Sequence, residues 1–117
     1  MSGGREKFPK SARLRKRPEF LRLSHTGRKI HSAHFVIVTG KNERGESRLG
    51  ITVSSKVGNA VVRNRIKRCV REFFRRRRHK LRLGEDILVI ARKSASGVSY
   101  DRIVAEMSKS LIEGRGQ

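Results

Sequence analysis

The chain has 117 residues, and its 30 lysines and arginines against 10 aspartates and glutamates give it a formal net charge of +20. A chain of this length forms one domain. It contains no apolar stretch near the ~20 residues of a membrane-spanning helix, and its basic N-terminus lacks the apolar segment of a signal peptide. The single cysteine excludes an internal disulfide, so we predict a cytoplasmic location. This much positive charge on a small domain predicts a polyanionic partner.

The N-terminal region divides into an arm and a first helix. Residues 1–13 are basic and rich in small or polar side chains, which predicts a flexible arm. Residues 14–113 are expected to form the domain, and residues 114–117 a short tail. A helix is predicted over Pro18–Thr26, because proline suits the first helical turn and Gly27 suits the end of a helix.

Two strands are predicted next in the chain. Residues 34–39 are apolar and β-branched, and residues 48–54 alternate between apolar and polar side chains. The polar segment between them contains two glycines and is predicted to be a turn. Gly50 lies in the middle of the second strand, which indicates that another backbone or a ligand approaches closely there.

The second half of the chain predicts a long helix, a strand and a last helix. Asn59 suits the N-cap of a helix that covers about residues 60–80. Residues 86–91 form an apolar run that is typical of a strand buried on both faces. Ser99 suits the N-cap of the last helix, in which apolar residues recur at helical spacing.

The long helix has two faces of different chemistry. Its apolar stripe consists of Val62, Ile66, Cys69, Val70 and Phe73. The opposite side is polar and basic, with Asn64, Lys67, Arg68, Arg71, Arg75 and Arg78, while Arg63 and Arg65 flank the stripe. Residues 63–82 contain eleven basic groups and one acid, so this segment carries half of the net charge of the chain.

A solvated surface helix is the alternative interpretation of this basic side. Such helices mix the two signs of charge, often with glutamate four residues before lysine or arginine. Here Arg68, Arg71 and Arg75 repel one another at spacings of three and four residues, and each such pair costs a few tenths of a kcal/mol. A partner that supplies phosphates would remove this repulsion. The planar guanidinium group of arginine can donate two hydrogen bonds to phosphate oxygens.

The residues of a protein active site are not evident. The acids are few and scattered, and Glu85 and Asp86 are adjacent residues at the start of a predicted strand. His31 and His34 suggest a metal pair, but no cysteine or carboxylate accompanies them at ligand spacing. Cys69 lies on the apolar stripe, as a small buried hydrophobic residue does. We therefore predict no catalytic residue, no metal site and no cofactor bound by the protein itself.

The segment Arg48–Phe74, RLGITVSSKVGNAVVRNRIKRCVREFF, resembles the signature of the bacterial ribonuclease P protein subunit family. At its centre lies the tripeptide Arg63–Arg65, RNR, and the likeness covers about Leu14 to Ile112. Further matching segments are Arg13–Leu14, Glu19–Phe20, His34–Val38, Asp86–Lys93 and Ser99–Tyr100. A match over this length is far more specific than the tripeptide alone.

The resemblance implies an α/β sandwich in which a four-stranded mixed sheet packs with three helices. The implied order is α-β-β-α-β-β-α, similar to a ribosomal-protein domain, with a left-handed β-α-β crossover around the RNR helix, which is the rare hand. The residues themselves indicate three strands. The fourth strand is expected at residues 31–33 or near residues 92–95.

The resemblance also implies a function, as the accessory subunit of the endoribonuclease ribonuclease P in tRNA 5′ maturation. Its partners are the catalytic RNA and the 5′ leader of precursor tRNA, and the active site consists of RNA with Mg²⁺ ions that the RNA binds. The expected contacts to the catalytic RNA are Arg63, Asn64, Arg65, Lys67, Arg68, Arg71 and Arg75. The expected contacts to the leader, in a cleft between the first helix and the sheet, are Arg13, Phe20, Lys56, Asn64 and Arg68.

The match has three departures, which concern the leader cleft. Family members often have a second aromatic residue where this chain has Ser24, an aromatic residue where it has Val38, and lysine where it has Ser55. The cleft is therefore expected to be less aromatic and less basic than in other members. Composition alone favours a core position for Phe20, whereas the resemblance favours stacking on an unpaired base.

Three other functions remain open at the level of the sequence. The first is a ribosomal or other structural RNA-binding protein without a role in tRNA processing. The second is a protein-only nuclease, against which the shortage of clustered acids argues. The third is a DNA-binding protein that inserts the long helix into a major groove. We expect no membrane or DNA partner and a monomer in the absence of RNA.

Overall fold

The computed structural model describes residues 13–14, 16–42, 45–81 and 84–113. In this part of the chain the helices and strands are α1 (Arg17–Thr26), β1 (Arg28–His31), β2 (Phe35–Lys41), β3 (Arg48–Thr52), α2 (Ala60–Arg77), β4 (Glu85–Ala91) and α3 (Tyr100–Ser108). Short helical turns lie at Arg78–Lys80, Lys93–Gly97 and Lys109–Glu113. Except for Arg13, the predicted arm lies outside the described residues, as does the predicted tail.

The four strands form one mixed sheet in the order β1-β2-β4-β3. β2 is antiparallel to both of its neighbours, while β3 runs parallel to β4 with Arg48 opposite Asp86. Because parallel neighbours need a crossover connection, α2 forms the middle of a β-α-β unit. The predicted sheet of four strands packed with three helices is confirmed, whereas the hand of the crossover and the likeness to a ribosomal-protein domain stay predictions.

The predicted order of the elements was wrong in one respect. The fourth strand is β1, which lies before β2, so the order is α-β-β-β-α-β-α. Residues 93–97, near the second position expected for it, form a helical turn instead. β1 carries no alternating pattern because three of its four residues are exposed, and only Ile30 turns toward the core. Its strand conformation depends on pairing with β2, and the residues of β1 alone carry no pattern that predicts a strand.

The two faces of the sheet are covered unequally. α2 and α3 cover one face through a large core that includes Phe35, Ile66, Phe73, Ile103 and Met107, all fully buried. α1 covers part of the other face through a smaller cluster of Leu14, Leu23, Val38 and Leu88. β4 contributes to both clusters, which confirms that it is buried on both sides. Val36 and Ile90 on this second face are only partly buried, and the cleft is expected there.

The ends of the helices use the residues that the sequence indicated. The Asn59 side chain accepts a hydrogen bond from the Val62 amide at 3.0 Å, and the Ser99 hydroxyl accepts one from the Arg102 amide at 3.1 Å. Gly27 ends α1 with its amide bonded to the Leu23 carbonyl at 2.7 Å. These caps satisfy amides and carbonyls that a helix leaves unpaired at its ends.

Gly50 of β3 lets α1 approach the sheet. A methyl group at this position would lie 2.9 Å from Cε1 of the Phe20 ring and 3.2 Å from Cβ of Leu14. The close approach indicated by the sequence is therefore that of two side chains, rather than that of a backbone or a ligand. Without a side chain at Gly50, the Phe20 ring rests directly on the strand.

Glu106 ties α3 to the turn between β1 and β2. Its carboxylate is buried and accepts hydrogen bonds from the Ser32 hydroxyl at 2.6 Å and from the His34 amide at 3.0 Å. The His34 ring and the Arg102 guanidinium contact its other oxygen. Burial alone would raise the pKa of Glu106, but these hydrogen bonds outweigh burial and lower the pKa to about 2.

We expect Gly50→Ala to lower the free energy of unfolding by about 1–3 kcal/mol, because the added methyl group forces the Phe20 ring off the strand. Urea unfolding followed by circular dichroism measures the change. Gly97→Ala is the matched control, since a methyl group there meets no atom within 4 Å. Equal urea midpoints for Gly50→Ala and wild type would contradict the tight packing of Phe20.

We expect Glu106→Gln to destabilise the protein at pH 7. We also expect the free energy of unfolding of the variant to fall less than that of wild type as the pH is lowered. The folded-state pKa lies below the ordinary 4.5, so the ionised carboxylate contributes stability that is complete above about pH 4.5 and is lost toward pH 2. Urea unfolding at several pH values measures the difference between variant and wild type, which should shrink as the pH falls. Asp101→Asn, on the exposed side of the same helix, is the control, and a pH-independent difference would contradict the prediction.

Candidate RNA-binding surface

A row of cations without acidic partners lies on the exposed side of α2. It consists of Lys67, Arg68 and Arg71, with the exposed amide of Asn64 beside them, and we call these four residues the α2 row. Among the described residues none of the four forms a hydrogen bond or an ion pair through its side chain. The buried residues Ile66, Val70, Phe73 and Phe74 anchor the opposite face of the helix. The row is therefore fixed in place by the core but left electrostatically unsatisfied.

Arg13 adds a further cation beside this row. The amide of the following residue, Leu14, donates to the Leu49 carbonyl at 2.8 Å, and Arg13 itself forms a bridge with Leu49 of β3. Burial, and then the charge of Arg13, lower the pKa of the Arg71 guanidinium. Arginine still carries its charge at neutral pH. Two cations are thus held close together, as in a site for an anion.

Three of the residues predicted to contact the catalytic RNA have partners within the protein. Arg63 donates from Nε to the Gly58 carbonyl at 3.2 Å, and Arg65 donates to the Val98 carbonyl. Arg75 forms an ion pair of 2.6 Å with Glu72, which also pairs with Arg76. Hydrogen bonds from these two arginines lower the pKa of Glu72 to about 2. Of the seven expected residues, the four of the α2 row are those whose side chains need no internal bond to be broken before they bind RNA.

The leader cleft is expected where α1 meets the sheet. Phe20 is partly buried there, with its ring close to Gly50. Val36 and Ile90, also partly buried, pack against the same small cluster as Phe20. Lys56 is exposed in the turn that connects β3 to α2. Phe20 thus belongs in part to the core, and its stacking on an unpaired base stays a prediction.

The three departures from the family pattern lie in different places. Val38 is fully buried beneath α1, where its side chain is in close contact with Gly27, so it does not line the cleft. Ser24 is partly exposed on α1, and Ser55 is exposed in the turn after β3. The expectation of a less basic cleft edge at Ser55 stays a prediction.

Two basic residues near the cleft were not predicted from the sequence. His31 ends β1 on the same side of the sheet as Val36, with which it pairs. A nitrogen of the Arg92 guanidinium lies 3.1 Å from the His31 ring, and the Arg92 amide donates to the His34 carbonyl at 2.9 Å. The position of Arg92 directly after a buried strand was a usable signal, but the side of the sheet on which His31 lies depends on the register of β1 with β2, which the sequence does not show.

A buried ion pair holds α1 over the sheet. Arg48 donates two hydrogen bonds to Asp86, of 2.8 and 2.7 Å, and a third to Glu19 of α1 at 3.0 Å. Asn42 donates to Asp86 at 2.8 Å. Burial would raise the pKa of Asp86, but the bonds from Arg48 and Asn42 lower it, and the bond to Asp86 raises the pKa of Arg48. Glu19 and Asp86 are therefore structural acids.

Within the described ranges, no three histidine, cysteine or acidic residues lie close enough together to hold a metal ion. His34 is bonded to Glu106, and His31 lies against Arg92. Cys69 is a free, partly buried thiol on the core side of α2. No helix in the described part of the chain has the length and apolar character needed to span a membrane.

A protein-family model described as Ribonuclease P matches residues 8–113. The chain belongs to the ribonuclease P protein family. This membership confirms the resemblance of the RNR segment and makes the chain a ribonuclease P component, an RNA-binding protein of tRNA processing. The alternative of a ribosomal protein receives no support from it.

Individual ribonuclease P proteins are similar over most of their length. The ribonuclease P protein component of Desulfatibacillum aliphaticivorans is 52% identical over 87 residues, which cover 74% of each chain. That of Citrifermentans bemidjiense is 44% identical over 104 residues, which cover 89% of each chain. The structure of the Staphylococcus aureus RNase P protein superposes with a TM-score of 0.80 at 39% identity and covers 86% of this chain and 92% of that chain.

We expect Arg68→Ala and Arg71→Ala each to weaken binding to ribonuclease P RNA about tenfold, as the loss of a charge-assisted contact does. If about six phosphates are neutralised, the slope of log affinity against log salt is roughly −4 to −5, and each variant should flatten it by about 1. Filter binding at a series of salt concentrations measures both values.

Arg76→Ala is the matched control for these two variants. It removes the same charge from the same helix, but its guanidinium is exposed and already paired with Glu72. We expect a smaller loss of affinity and a smaller change of slope. An unchanged affinity and slope in Arg68→Ala and Arg71→Ala would show that the α2 row is not the docking surface.

Proposed function

We propose that this protein binds the catalytic RNA of ribonuclease P through the α2 row and the single-stranded 5′ leader of precursor tRNA through the cleft beside α1. By holding both RNAs it promotes the endonucleolytic removal of the leader. The observation that carries the proposal is the unneutralised α2 row, with Arg13 close to its Arg71 and the partly exposed ring of Phe20 on the same side of the sheet as Leu14. RNA supplies the phosphates for the row and unpaired bases for the ring.

The charges of the described residues support the docking part of the proposal. Glu19, Asp86, Glu72 and Glu106 each bind a basic side chain within the protein. Lys67, Arg68 and Arg71 have no such neighbour, so their mutual repulsion is relieved only from outside. Phosphate groups provide that relief, and bound RNA releases its counterions in exchange.

The shape and composition of the cleft support the leader part of the proposal. A single strand differs from a duplex in offering unstacked bases, and proteins bind such bases on aromatic rings between basic side chains. Here the partly buried residues Phe20, Val36 and Ile90 pack on one small cluster of the sheet, and we assign the basic side of the cleft to Lys56 and Asn64. A duplex gives no base to this ring, so the cleft favours a single strand.

We propose that the RNA subunit, rather than the protein, catalyses the cleavage. The described residues include no cluster of acids and histidines that fits a nuclease site or an Mg²⁺ ion. Mg²⁺ would supply the charge stabilisation of phosphodiester hydrolysis, and we assign its ligands to the RNA subunit. The protein residues position the substrate. We further propose that the protein acts in the cytoplasm and is a monomer before it meets the RNA.

Multiple-turnover cleavage of a precursor tRNA by bacterial ribonuclease P RNA tests the proposal. The reaction is run at low, near-physiological Mg²⁺ with and without the protein, and also with the protein alone. We expect stimulation that requires the RNA and that shrinks when the 5′ leader is trimmed away. Tight binding to the RNA without stimulation would overturn the proposal, as would cleavage by the protein alone.

Phe20→Leu separates the leader cleft from the docking surface. The substitution keeps an apolar side chain against Gly50 but removes the aromatic face, which is worth about 1–3 kcal/mol per stacked base. We expect weaker binding of precursor tRNA with a leader, unchanged binding of tRNA without one, and unchanged affinity for the catalytic RNA. An equal effect on both substrates would contradict the stacking role, and urea unfolding controls for the packing of α1.

A further inference from the structure

A second recess lies on the flank of α2 that faces α3, next to the α2 row but away from the leader cleft. We call it the Tyr100 groove. It has a volume of about 400 Å³ and is lined by Arg65, Arg68, Cys69, Glu72 and Tyr100. Its lining is mostly apolar apart from the charged groups at its edge. A volume of this size falls within the range of small-ligand sites.

Arg65 holds the two walls of the groove together. Its guanidinium donates to the Val98 carbonyl, and a second nitrogen lies 3.9 Å from the Cys69 sulfur. Val98 immediately precedes Ser99, the N-cap of α3, and Tyr100 is the first residue of that helix. The flanking position of Arg65 on α2 therefore fixes Tyr100 at a set distance from the helix that carries the basic row.

Two groups that line the groove have no partner among the described residues. Arg68 is exposed and forms no ion pair there. The hydroxyl oxygen of Tyr100 is closed to solvent and has no hydrogen-bond partner, so the ring must turn before this hydroxyl reaches a ligand. Glu72 is already paired with Arg75 and Arg76 and would repel a phosphate beside it. An anionic ligand with a hydrogen-bonding group is therefore favoured beside Arg68.

We propose that the Tyr100 groove binds one unstacked nucleotide of the ribonuclease P RNA. Its phosphate pairs with Arg68, its sugar or base lies against the Tyr100 ring, and a turn of that ring lets the hydroxyl donate a hydrogen bond to an oxygen of the nucleotide. This inference rests on the proposed docking of α2 on that RNA. It extends the RNA contact from α2 to α3, in a part of the sequence that carries no net charge.

The charge of Arg68 and the continuity of the groove with the α2 row favour a nucleotide over an uncharged molecule. Arg68 belongs both to the α2 row and to the groove, so a backbone bound along the row passes the mouth of the groove. Aromatic rings stack on any base. A buried hydroxyl without a partner is a cost to the free protein, and a ligand that accepts its hydrogen bond removes that cost.

Tyr100→Phe tests the hydrogen bond without changing the ring. We expect three- to tenfold weaker binding to in vitro transcribed ribonuclease P RNA, the loss for one hydrogen bond, with no loss of stability in urea. Tyr100→Leu, which also removes the ring, should weaken binding further. Neither variant should change the ratio of affinities for precursor tRNA with and without its leader.

The only cysteine of the chain gives a second readout that needs no substitution. Cys69 lines the groove, so bound RNA should slow its alkylation by iodoacetamide in proportion to occupancy. The control protein carries Cys69→Ser and Ala105→Cys, which moves the thiol to the exposed side of α3. Its alkylation rate should change little when the RNA binds.

Two failures are distinguishable in these experiments. If the wild-type protein binds and stimulates the RNA, but Tyr100→Phe binds equally well and Cys69 is not protected, the groove proposal is overturned and the proposed function stands. If the wild-type protein neither binds nor stimulates the RNA, both are overturned. Equal protection of Cys69 and of the cysteine at position 105 would also overturn the groove, because the RNA would then cover α3 as a whole.

Discussion

The buried contact of Arg48 with Asp86 and Glu19 is the interaction on which the cleft depends. It joins two neighbouring strands to α1, and it does so with charged groups that are costly to bury unless each is paired. Because Glu19 precedes Phe20, the same contact sets the ring of Phe20 on Gly50. If this arginine lost its acids, α1 would lose its orientation and the cleft its wall. An arginine in a strongly basic protein is thus used to fix α1 on the sheet.

The distribution of the acids explains how a basic surface is kept available. Among the described residues, Glu19, Glu72, Asp86 and Glu106 bind arginine or histidine inside the protein and stabilise its framework. As a result, these four acids do not neutralise the α2 row, although Glu72 lies on the same helix. Glu72 pairs with Arg75 and Arg76, one to two turns beyond the row. The net charge of the chain therefore overstates how many cations are free to bind, and the geometry of these pairs decides which ones they are.

Much of this architecture followed from local patterns. The caps at Asn59 and Ser99, the apolar stripe of α2 and the central position of β4 are signals carried by neighbouring residues, and all appear in the structure. The residues of β1 do not themselves indicate a strand, because its conformation comes from pairing with β2. The resemblance supplied a fourth strand, and the first of its two expected positions, residues 31–33, meets β1 only at His31. The sequence also could not show which arginines of α2 are bonded within the protein. Arg65 bonds to the carbonyl of Val98, which is distant in the chain, whereas Arg68 forms no such bond among the described residues. The Tyr100 groove has the same origin, since it forms only where α2 meets α3.

The sheet has two edges, and each is protected from pairing with another sheet. On β3, the backbone of Arg13 and Leu14 covers part of the edge. β1 is the other edge, four residues long, with Arg28, Lys29 and His31 exposed along it. Short edge strands with basic side chains resist the strand-to-strand association that leads to aggregation. The basic side chains of β1 consequently disfavour pairing of this edge with the edge of another copy.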